Sequence, residues 1–126
     1  KEDMAEEDST GYVILLDGQV AGWIQWQAEE EPDYRHASMD IYVDPALHRR
    51  GVATDALRTM ARHLIDDHGH HRLTIDPAAH NEAAIACYSR LGFQPVGRQR
   101  SAERGNDGSW HDLLLMDLLA EELQDA

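Results

Sequence analysis

Apolar and polar positions alternate along several short segments of the chain, as they do in half-buried β-strands. Residues 11–27 contain two such runs on either side of Asp17-Gly18, a dipeptide that favours a two-residue hairpin turn. In the next run, over 39–43, the apolar side chains fall on one face of the strand and the polar ones on the other. Further runs with this strand-like pattern occupy 72–76, 93–100 and 110–119.

Two segments show helical spacing instead. Apolar residues recur every three or four positions over 53–65, and Gly69 is well placed to end that helix. A second helical pattern covers 82–91, with Asn81 as an N-cap candidate and Gly92 at its end. The order of three strands, a helix, a strand, a helix and two strands predicts a mixed α/β (α+β) domain whose helices cross a central sheet.

Length and composition favour one domain. The chain has 126 residues with a hydrophobic content of 42%, which is enough for a real core. Residues 1–10 are charged and lack apolar periodicity, so we interpret them as an N-terminal remnant and 11–126 as a single domain. We expect no membrane span, no signal peptide and, with one cysteine (Cys87), no internal disulfide. These features together favour a cytoplasmic protein.

The chain is strongly acidic, with a formal net charge of -13. Such a charge disfavours binding to nucleic acid or to an anionic membrane, and it attracts cations. An acidic surface can also serve solubility alone, so the positions of particular acids have to separate these two interpretations. The composition leaves the oligomeric state open, a homodimer included.

The segment LHRRGVATDAL, residues 47–57, places two arginines and a glycine between a strand and a helix. The N-terminus of a helix carries unpaired N–H groups and partial positive charge, so it favours anions and phosphate above all. Gly51 has no Cβ, so a ligand can approach the backbone there. The segment lacks the lysine and Ser/Thr of the nucleotide phosphate loop, and the hexapeptide HRRGVA alone is equally compatible with an ordinary tight turn.

Two motifs in this order resemble those of the GCN5-related N-acetyltransferases (GNAT). VDPALHRRGVAT is similar to the family's acyl-CoA-binding motif, Gln/Arg-x-x-Gly-x-Gly/Ala: Gly51 and Ala53 match, and His48 replaces the first residue. NEAAIACYSRLGF is similar to the second family signature, whose matching positions here are Asn81, Tyr88, Gly92 and Phe93. The resemblance covers 11–119 and implies the GNAT fold, a mixed central sheet that splays at the acetyl-CoA site between flanking helices. Family members usually begin with a strand and two helices before the hairpin, and we expect those elements to be missing here.

The resemblance also implies acetyl-CoA as the co-substrate and gives roles to individual residues. The pantetheine arm would run beside the strand that carries Tyr42 and Val43, with the Val43 N–H as oxyanion donor. Asp40 would take the proton of the attacking amine, and Tyr88 would protonate the leaving thiolate. The residues assigned to the pyrophosphate and the rest of the cofactor are Arg49, Arg50, Gly51, Val52, Ala53, Thr54 and Asn81.

More narrowly, TIDPAAHNEAAIACYSRLGF is similar to a segment of aminoglycoside 6′-N-acetyltransferases, which also carry an acid at the position of Asp40. This resemblance implies acetyl transfer to the 6′-amine of an aminoglycoside, an activity of the antibiotic-resistance type, with a small cationic amine as the partner. The acids expected to bind the amine are Asp40, Asp76 and, as loose counterparts of a family acid, Glu29, Glu30 and Glu31. Two other functions stay open: an acetyltransferase for a polyamine or a protein N-terminus, and a non-catalytic acyl-CoA-binding module.

Several of these residues also have a simpler interpretation. Asp40 could be a solvated strand residue, Tyr88 a core residue with a satisfied hydroxyl, and Asp76 a cap at the end of its strand. Four histidines between 63 and 71 suggest a metal site, but a glycine interrupts them and no cysteine or ordered carboxylate joins them. We therefore predict no bound metal.

Overall fold

The computed structural model describes residues 3–5, 9–48 and 51–124, which form one sheet packed against two helices. The strands are β1 (Asp3–Ala5), β2 (Ser9–Leu16), β3 (Gln19–Glu29), β4 (His36–Val43), β5 (Arg72–Ile75), β6 (Gln94–Arg104) and β7 (Trp110–Leu119). The helices are α1 (Val52–Arg62), extended by a π-helical turn (His63–Asp67), and α2 (Glu82–Leu91), with 3₁₀ turns at Pro45–Leu47 and Ala120–Glu122. The predicted α+β order is confirmed. None of the described helices has the length and apolar character to cross a membrane.

Residues 3–5, within the charged N-terminal segment, form a strand that the sequence pattern did not predict. β1 pairs antiparallel with β2 at the edge of the sheet, with Asp3 opposite Tyr12. An edge strand is held by backbone hydrogen bonds, which do not require an apolar side-chain pattern. Periodicity alone could not reveal this strand.

The seven strands lie in the order β1-β2-β3-β4-β5-β7-β6. All neighbours are antiparallel except β4 and β5, which pair in parallel only at Ala37 with Leu73 and at Ser38 with Thr74. The hydroxyl oxygens of Ser38 and Thr74 lie 2.7 Å apart across this short ladder. Beyond it, residues 39–43 of β4 pair with β3 and, in the described sheet, not with β5. The expected splay of the sheet is confirmed.

Three local signals in the sequence are confirmed by the backbone. Asp17 and Gly18 have φ values of 52° and 80°, the left-handed pair that a two-residue hairpin turn requires. Asn81 caps α2, because its side-chain oxygen accepts a 3.1 Å hydrogen bond from the Ala84 N–H. Gly92 ends α2 with φ of 115°.

The hydrophobic core lies between the helices and the sheet. Met39 and Val43 of β4 are buried, whereas Asp40 and Tyr42 are exposed, as the alternation predicts. The bulkiest fully buried apolar side chains are Leu57, Leu64, Leu73, Leu91, Met116 and Leu118. Replacing such a leucine by alanine typically costs about 2–5 kcal/mol of stability.

Candidate active site

A cleft of about 740 Å³ opens where β4 parts from β5. Its walls are the last three residues of β4, the segment that leads into α1, and one face of α2. The predicted residues that line it are Tyr42, Val43, Gly51, Val52, Ala53, Thr54, Asn81 and Tyr88. Arg49 and Arg50, also predicted to bind the pyrophosphate, lie outside the described residues. The structure thus brings together every described residue that the sequence assigned to the cofactor, with Tyr88 beside them.

Gly51 starts the turn into α1 as its N-cap, with φ of 79°, a left-handed conformation that glycine adopts readily. A Cβ built there would meet no described atom within 4 Å, so the space beside it is open to a ligand. Among the described side chains, none caps α1, which leaves first-turn N–H groups available to an anion. Both the left-handed backbone of the turn and the space that it leaves for a ligand therefore favour glycine at position 51.

The backbone of Val43 faces the cleft. The Asp44 N–H donates to the Ala21 carbonyl on β3 at 2.8 Å, and successive N–H groups of a strand point to opposite edges. The Val43 N–H therefore points away from β3, into the gap between β4 and β5. On the same edge, the Val43 carbonyl accepts a 3.0 Å hydrogen bond from His48 Nε2. His48, the residue that departs from the family motif, thus ties the turn before α1 to β4.

Tyr88 lies on α2 and is only 8% exposed, with its ring edge-on to Phe93 at a centroid distance of 6.3 Å. Its hydroxyl makes no hydrogen bond to any described residue. Burial raises the pKa of Tyr88 to about 12, and the neighbouring Cys87 and the charges of Asp40 and Asp76 contribute. The phenol therefore stays protonated at neutral pH and has a free O–H to offer a ligand in the cleft.

The charges of Asp40 and Asp76 both raise the pKa of Tyr88, although neither carboxylate is among the residues that line the cleft. The Asp40 carboxylate accepts the Ile41 N–H, but desolvation outweighs this bond and raises its pKa, with a further rise from Glu103. Desolvation likewise raises the pKa of Asp76, and the charges of Asp40 and Glu103 add to that rise. Carboxylates with raised pKa values are better proton acceptors at neutral pH.

The acidic loop predicted to join these carboxylates lies elsewhere. Glu29 pairs with His36, four residues along β4 from Asp40, which is roughly 13 Å at 3.3 Å per residue. Glu30 forms a 3.2 Å ion pair with Arg35, and the Glu29 carboxylate accepts the Glu31 N–H at 3.1 Å. The reason is that β3 runs on to Glu29 instead of ending at the polar loop, so the hairpin carries these three acids away from the cleft.

The clustered histidines pack at the far end of α1. His70 is buried at 1% exposure beside Trp26, and neither of its ring nitrogens has a hydrogen-bond partner in the described structure. Two of the others, His63 and His68, face each other with their Nε2 atoms 3.2 Å apart. Within the described residues, no group of three or more His, Cys, Asp or Glu side chains is placed to hold a metal ion.

The arrangement of cleft, turn and acids can be compared with known proteins. The sequence matches the acetyltransferase (GNAT) family over residues 1–93. The chain belongs to this family. Aminoglycoside N(6′)-acetyltransferases type 1 from Klebsiella pneumoniae and Serratia marcescens are each 26% identical to this GNAT chain over 105 residues. These matches cover 75% of the chain and 52% of each relative, so the chain spans about half the length of the curated relatives it matches.

Solved GNAT structures share this fold. A probable acetyltransferase, 26% identical, superposes with a TM-score of 0.84 over 91% of this chain and 64% of its own. A spermidine N-acetyltransferase variant from Vibrio cholerae, 19% identical, superposes with a TM-score of 0.81 over 92% of this chain and 68% of its own. At that identity the second likeness supports the fold alone.

Two further residues were not predicted from the sequence. Glu103, whose charge raises the pKa of Asp40 and Asp76, belongs to β6, which extends to Arg104, whereas the strand-like pattern ends at residue 100. His48 seemed only a departure from the family motif, but it binds the Val43 carbonyl. Net charge gave a general signal for extra acids, and no local pattern singled out either residue.

Proposed function

We propose that this chain carries the catalytic centre of an acetyl-CoA-dependent N-acetyltransferase acting on a cationic primary amine, with the 6′-amine of an aminoglycoside as the best candidate. One observation carries the proposal: Tyr88, whose hydroxyl has no partner among the described residues, lines the cleft, and the charges of Asp40 and Asp76 raise its pKa. Acyl transfer to an amine requires a hydrogen-bond donor for the leaving thiolate and a proton acceptor for the amine, and an anion-binding cleft with these groups provides both.

The cleft fits the co-substrate at its polar end. The N–H groups at the start of α1 and the open space beside Gly51 suit a pyrophosphate. Arg49 and Arg50, which precede Gly51 in the sequence, would add charge-assisted hydrogen bonds. The exposed edge of β4 would hold the extended arm through backbone hydrogen bonds, and acetyl-CoA would supply the activated acyl group.

The residues at the other end would divide the chemistry among them. An alkyl ammonium has a pKa of about 10 in water, so the amine must lose a proton before it can attack, and Asp40 accepts that proton. The amine nitrogen then forms a bond to the thioester carbon while the Val43 N–H donates to the carbonyl oxygen. As the carbon–sulfur bond breaks, the electron pair leaves on sulfur, where the Tyr88 hydroxyl donates a hydrogen bond, and the nitrogen releases its second proton to water to give the amide. Asp76 holds a second ammonium group of the acceptor.

The choice of acceptor rests on charge and on the curated relatives. A chain with a net charge of -13 and two carboxylates at the site favours an acceptor with several ammonium groups. The two curated relatives are both named as aminoglycoside N(6′)-acetyltransferases. A polyamine has similar charge, so it is an explicit arm of the test below.

The test is thiol release from acetyl-CoA with a panel of amines. The panel contains aminoglycosides with a 6′-amine, matched analogues with a 6′-hydroxyl, spermidine, and a peptide with a free N-terminus. We expect turnover with the 6′-amines and little with the 6′-hydroxyl analogues. Equal rates on both aminoglycoside sets would exclude transfer to the 6′-amine. Turnover with spermidine alone would show that the acceptor is a polyamine, and turnover with the peptide alone that it is a protein N-terminus. Binding of CoA without turnover of any amine would show a non-catalytic module.

A further inference from the structure

Two histidine rings meet at the end of α1. The Nε2 atoms of His63 and His68 lie 3.2 Å apart, and their ring centroids are 4.7 Å apart with the ring planes at 83°. The centroids are farther apart than the nitrogens, so each Nε2 is on the side of its ring that faces the other ring. In a tetrahedral Zn²⁺ site, two imidazole nitrogens at about 2.0–2.1 Å from the metal are separated by about 3.3–3.4 Å. The observed spacing therefore suits one shared metal ion.

The π-helical turn at His63–Asp67 brings this pair together. A π-helix closes i→i+5 hydrogen bonds, so residues five positions apart lie on the same face, whereas on an α-helix residues three and four apart do so. His63 and His68 are five positions apart. The predicted absence of a metal rests partly on the glycine that interrupts the histidines, but both members of this pair precede that glycine, Gly69.

Asp67 supplies a carboxylate that the sequence pattern did not single out. Its Oδ2 atom accepts a 2.8 Å hydrogen bond from His63 Nδ1. An ionised carboxylate only accepts hydrogen bonds, so this bond places the ring proton on Nδ1 and leaves the Nε2 of neutral His63 with a lone pair. Histidines that bind a metal almost always donate their other ring N–H to a carboxylate, a carbonyl or water. His63 is therefore oriented as a metal ligand would be.

Trp26 holds the second ring. The His68 ring packs against the indole of this β3 residue at a centroid distance of 4.9 Å. Trp26 is buried, so it gives the exposed His68 a fixed neighbour. Arg35 also donates to the His68 carbonyl at 2.7 Å, which restrains the backbone at this position. Rings that are already held lose less freedom when they bind a ligand, and such preorganisation strengthens a site.

The pair is open to solvent and lies apart from the cleft. The His63 side chain is 36% exposed, and His68 is exposed. Within the described residues, no third His, Cys, Asp or Glu side chain completes the set, so water would fill the other positions on the metal. His63 borders a second cavity of about 470 Å³ between α1 and the β2–β3 hairpin, and neither histidine lines the cleft beside Gly51.

We propose that His63 and His68 bind a divalent transition-metal ion, Zn²⁺ or an ion with a similar preference for imidazole, and that Asp67 is the positioning residue. Imidazole nitrogen suits Zn²⁺, Cu²⁺ and Ni²⁺, whereas Mg²⁺ and Ca²⁺ prefer oxygen ligands. Each ring gives one Nε2 lone pair, and His68 carries its ring proton on Nδ1 in the bound form. The ion joins both ends of the π-helical turn, so its binding stabilises the folded chain. The inference goes beyond the proposed function and does not depend on acetyl transfer.

The experiment is a calorimetric titration of the chelator-treated protein with ZnCl₂, with MgCl₂ as the control salt. We expect a saturable Zn²⁺ site and much weaker binding of Mg²⁺. His63→Ala and His68→Ala should each weaken Zn²⁺ binding at least tenfold, about 1.4 kcal/mol. The matched control is His71→Ala, which removes another exposed histidine from the same segment and should leave the Kd unchanged.

The role of Asp67 is tested against its exposed neighbour Asp66. Asp67→Ala should weaken Zn²⁺ binding roughly tenfold or more, because outer carboxylates of this kind typically contribute 10- to 100-fold to metal affinity. Asp66→Ala removes the same charge one position away and should have a smaller effect. Imidazole ¹⁵N NMR should also show that His63 loses its Nδ1–H tautomer in Asp67→Ala and keeps it in Asp66→Ala. Equal effects of the two variants on affinity and tautomer would overturn the positioning role.

NMR of the wild-type chain gives a readout that does not depend on how any variant folds. Zn²⁺ should shift the Nε2 resonances of His63 and His68 and leave those of His71 in place. Shifts confined to other histidines would overturn the site, as would equal Zn²⁺ affinity in His63→Ala, His68→Ala and the His71 control. Absence of saturable binding up to roughly 1 mM Zn²⁺ would overturn it as well. Zn²⁺ binding at this pair in a chain that turns over no amine would support the inference while rejecting the proposed function.

Discussion

The Tyr88 hydroxyl offers the sharpest test of the chemistry. Its pKa of about 12 lies well above that of a cysteine thiol, roughly 8.5, so full proton transfer to a thiolate of that basicity would be uphill by about 5 kcal/mol. We therefore expect the phenol to act by donating a hydrogen bond to the charged sulfur. Such a bond contributes about 1.5–3 kcal/mol, which predicts that Tyr88→Phe lowers kcat roughly 10- to 150-fold.

The assay is steady-state thiol release at saturating amine, combined with a calorimetric Kd for acetyl-CoA. The Kd should stay within about twofold of wild type, because the hydroxyl is needed only as charge develops on sulfur. Tyr34→Phe is the matched control, since Tyr34 is 74% exposed and lies outside the cleft. An unchanged kcat in a folded Tyr88→Phe protein would show that the ring only packs. A loss far beyond 10³-fold would show that the proton is transferred in full.

Three other variants test separate parts of the site and the core. Gly51→Val should weaken CoA binding at least tenfold, about 1.4 kcal/mol. Gly18, which lies outside the cleft, has a nearly identical positive φ, so Gly18→Val should lower stability without changing the Kd for CoA. Asp40→Asn should mainly lower kcat and Asp76→Asn mainly raise KM; the reverse split in steady-state kinetics would contradict their assigned roles. Burial lowers the pKa of His70, so the stability that it contributes is complete above about pH 6.5 and is lost as the pH falls below that value. The difference between the urea midpoints at about pH 8 and at about pH 5.5 should be smaller in His70→Leu than in wild type. An equal difference in the two proteins would refute this.

The strands, the helices and the meeting of Gly51 and Asn81 at one cleft could be predicted because local rules determine them. Gly51 and Asn81 occupy positions where backbone geometry restricts the residue type, and helical or alternating periodicity marked the elements around them. The acceptor side depends on features without such a local rule. Glu29 lies away from the site because β3 is longer than its pattern, and β6 continues to Arg104 across a bulge that shifts the register. Neither strand length nor a bulge can be read from alternation alone.

The short ladder between β4 and β5 has a mechanical consequence. Two register pairs and one hydroxyl contact are the only described strand pairing between one half of the sheet, β1 to β4, and the other, β5 to β7. The two halves of the sheet are therefore joined by only a short stretch of described strand pairing. A ligand that lies along the open edge of β4 and reaches α2, which follows β5 in the chain, contacts both halves of the sheet. Its binding free energy therefore also opposes their separation. The stability of the whole sheet should therefore increase as the ligand fills the cleft and decrease when the ligand is removed.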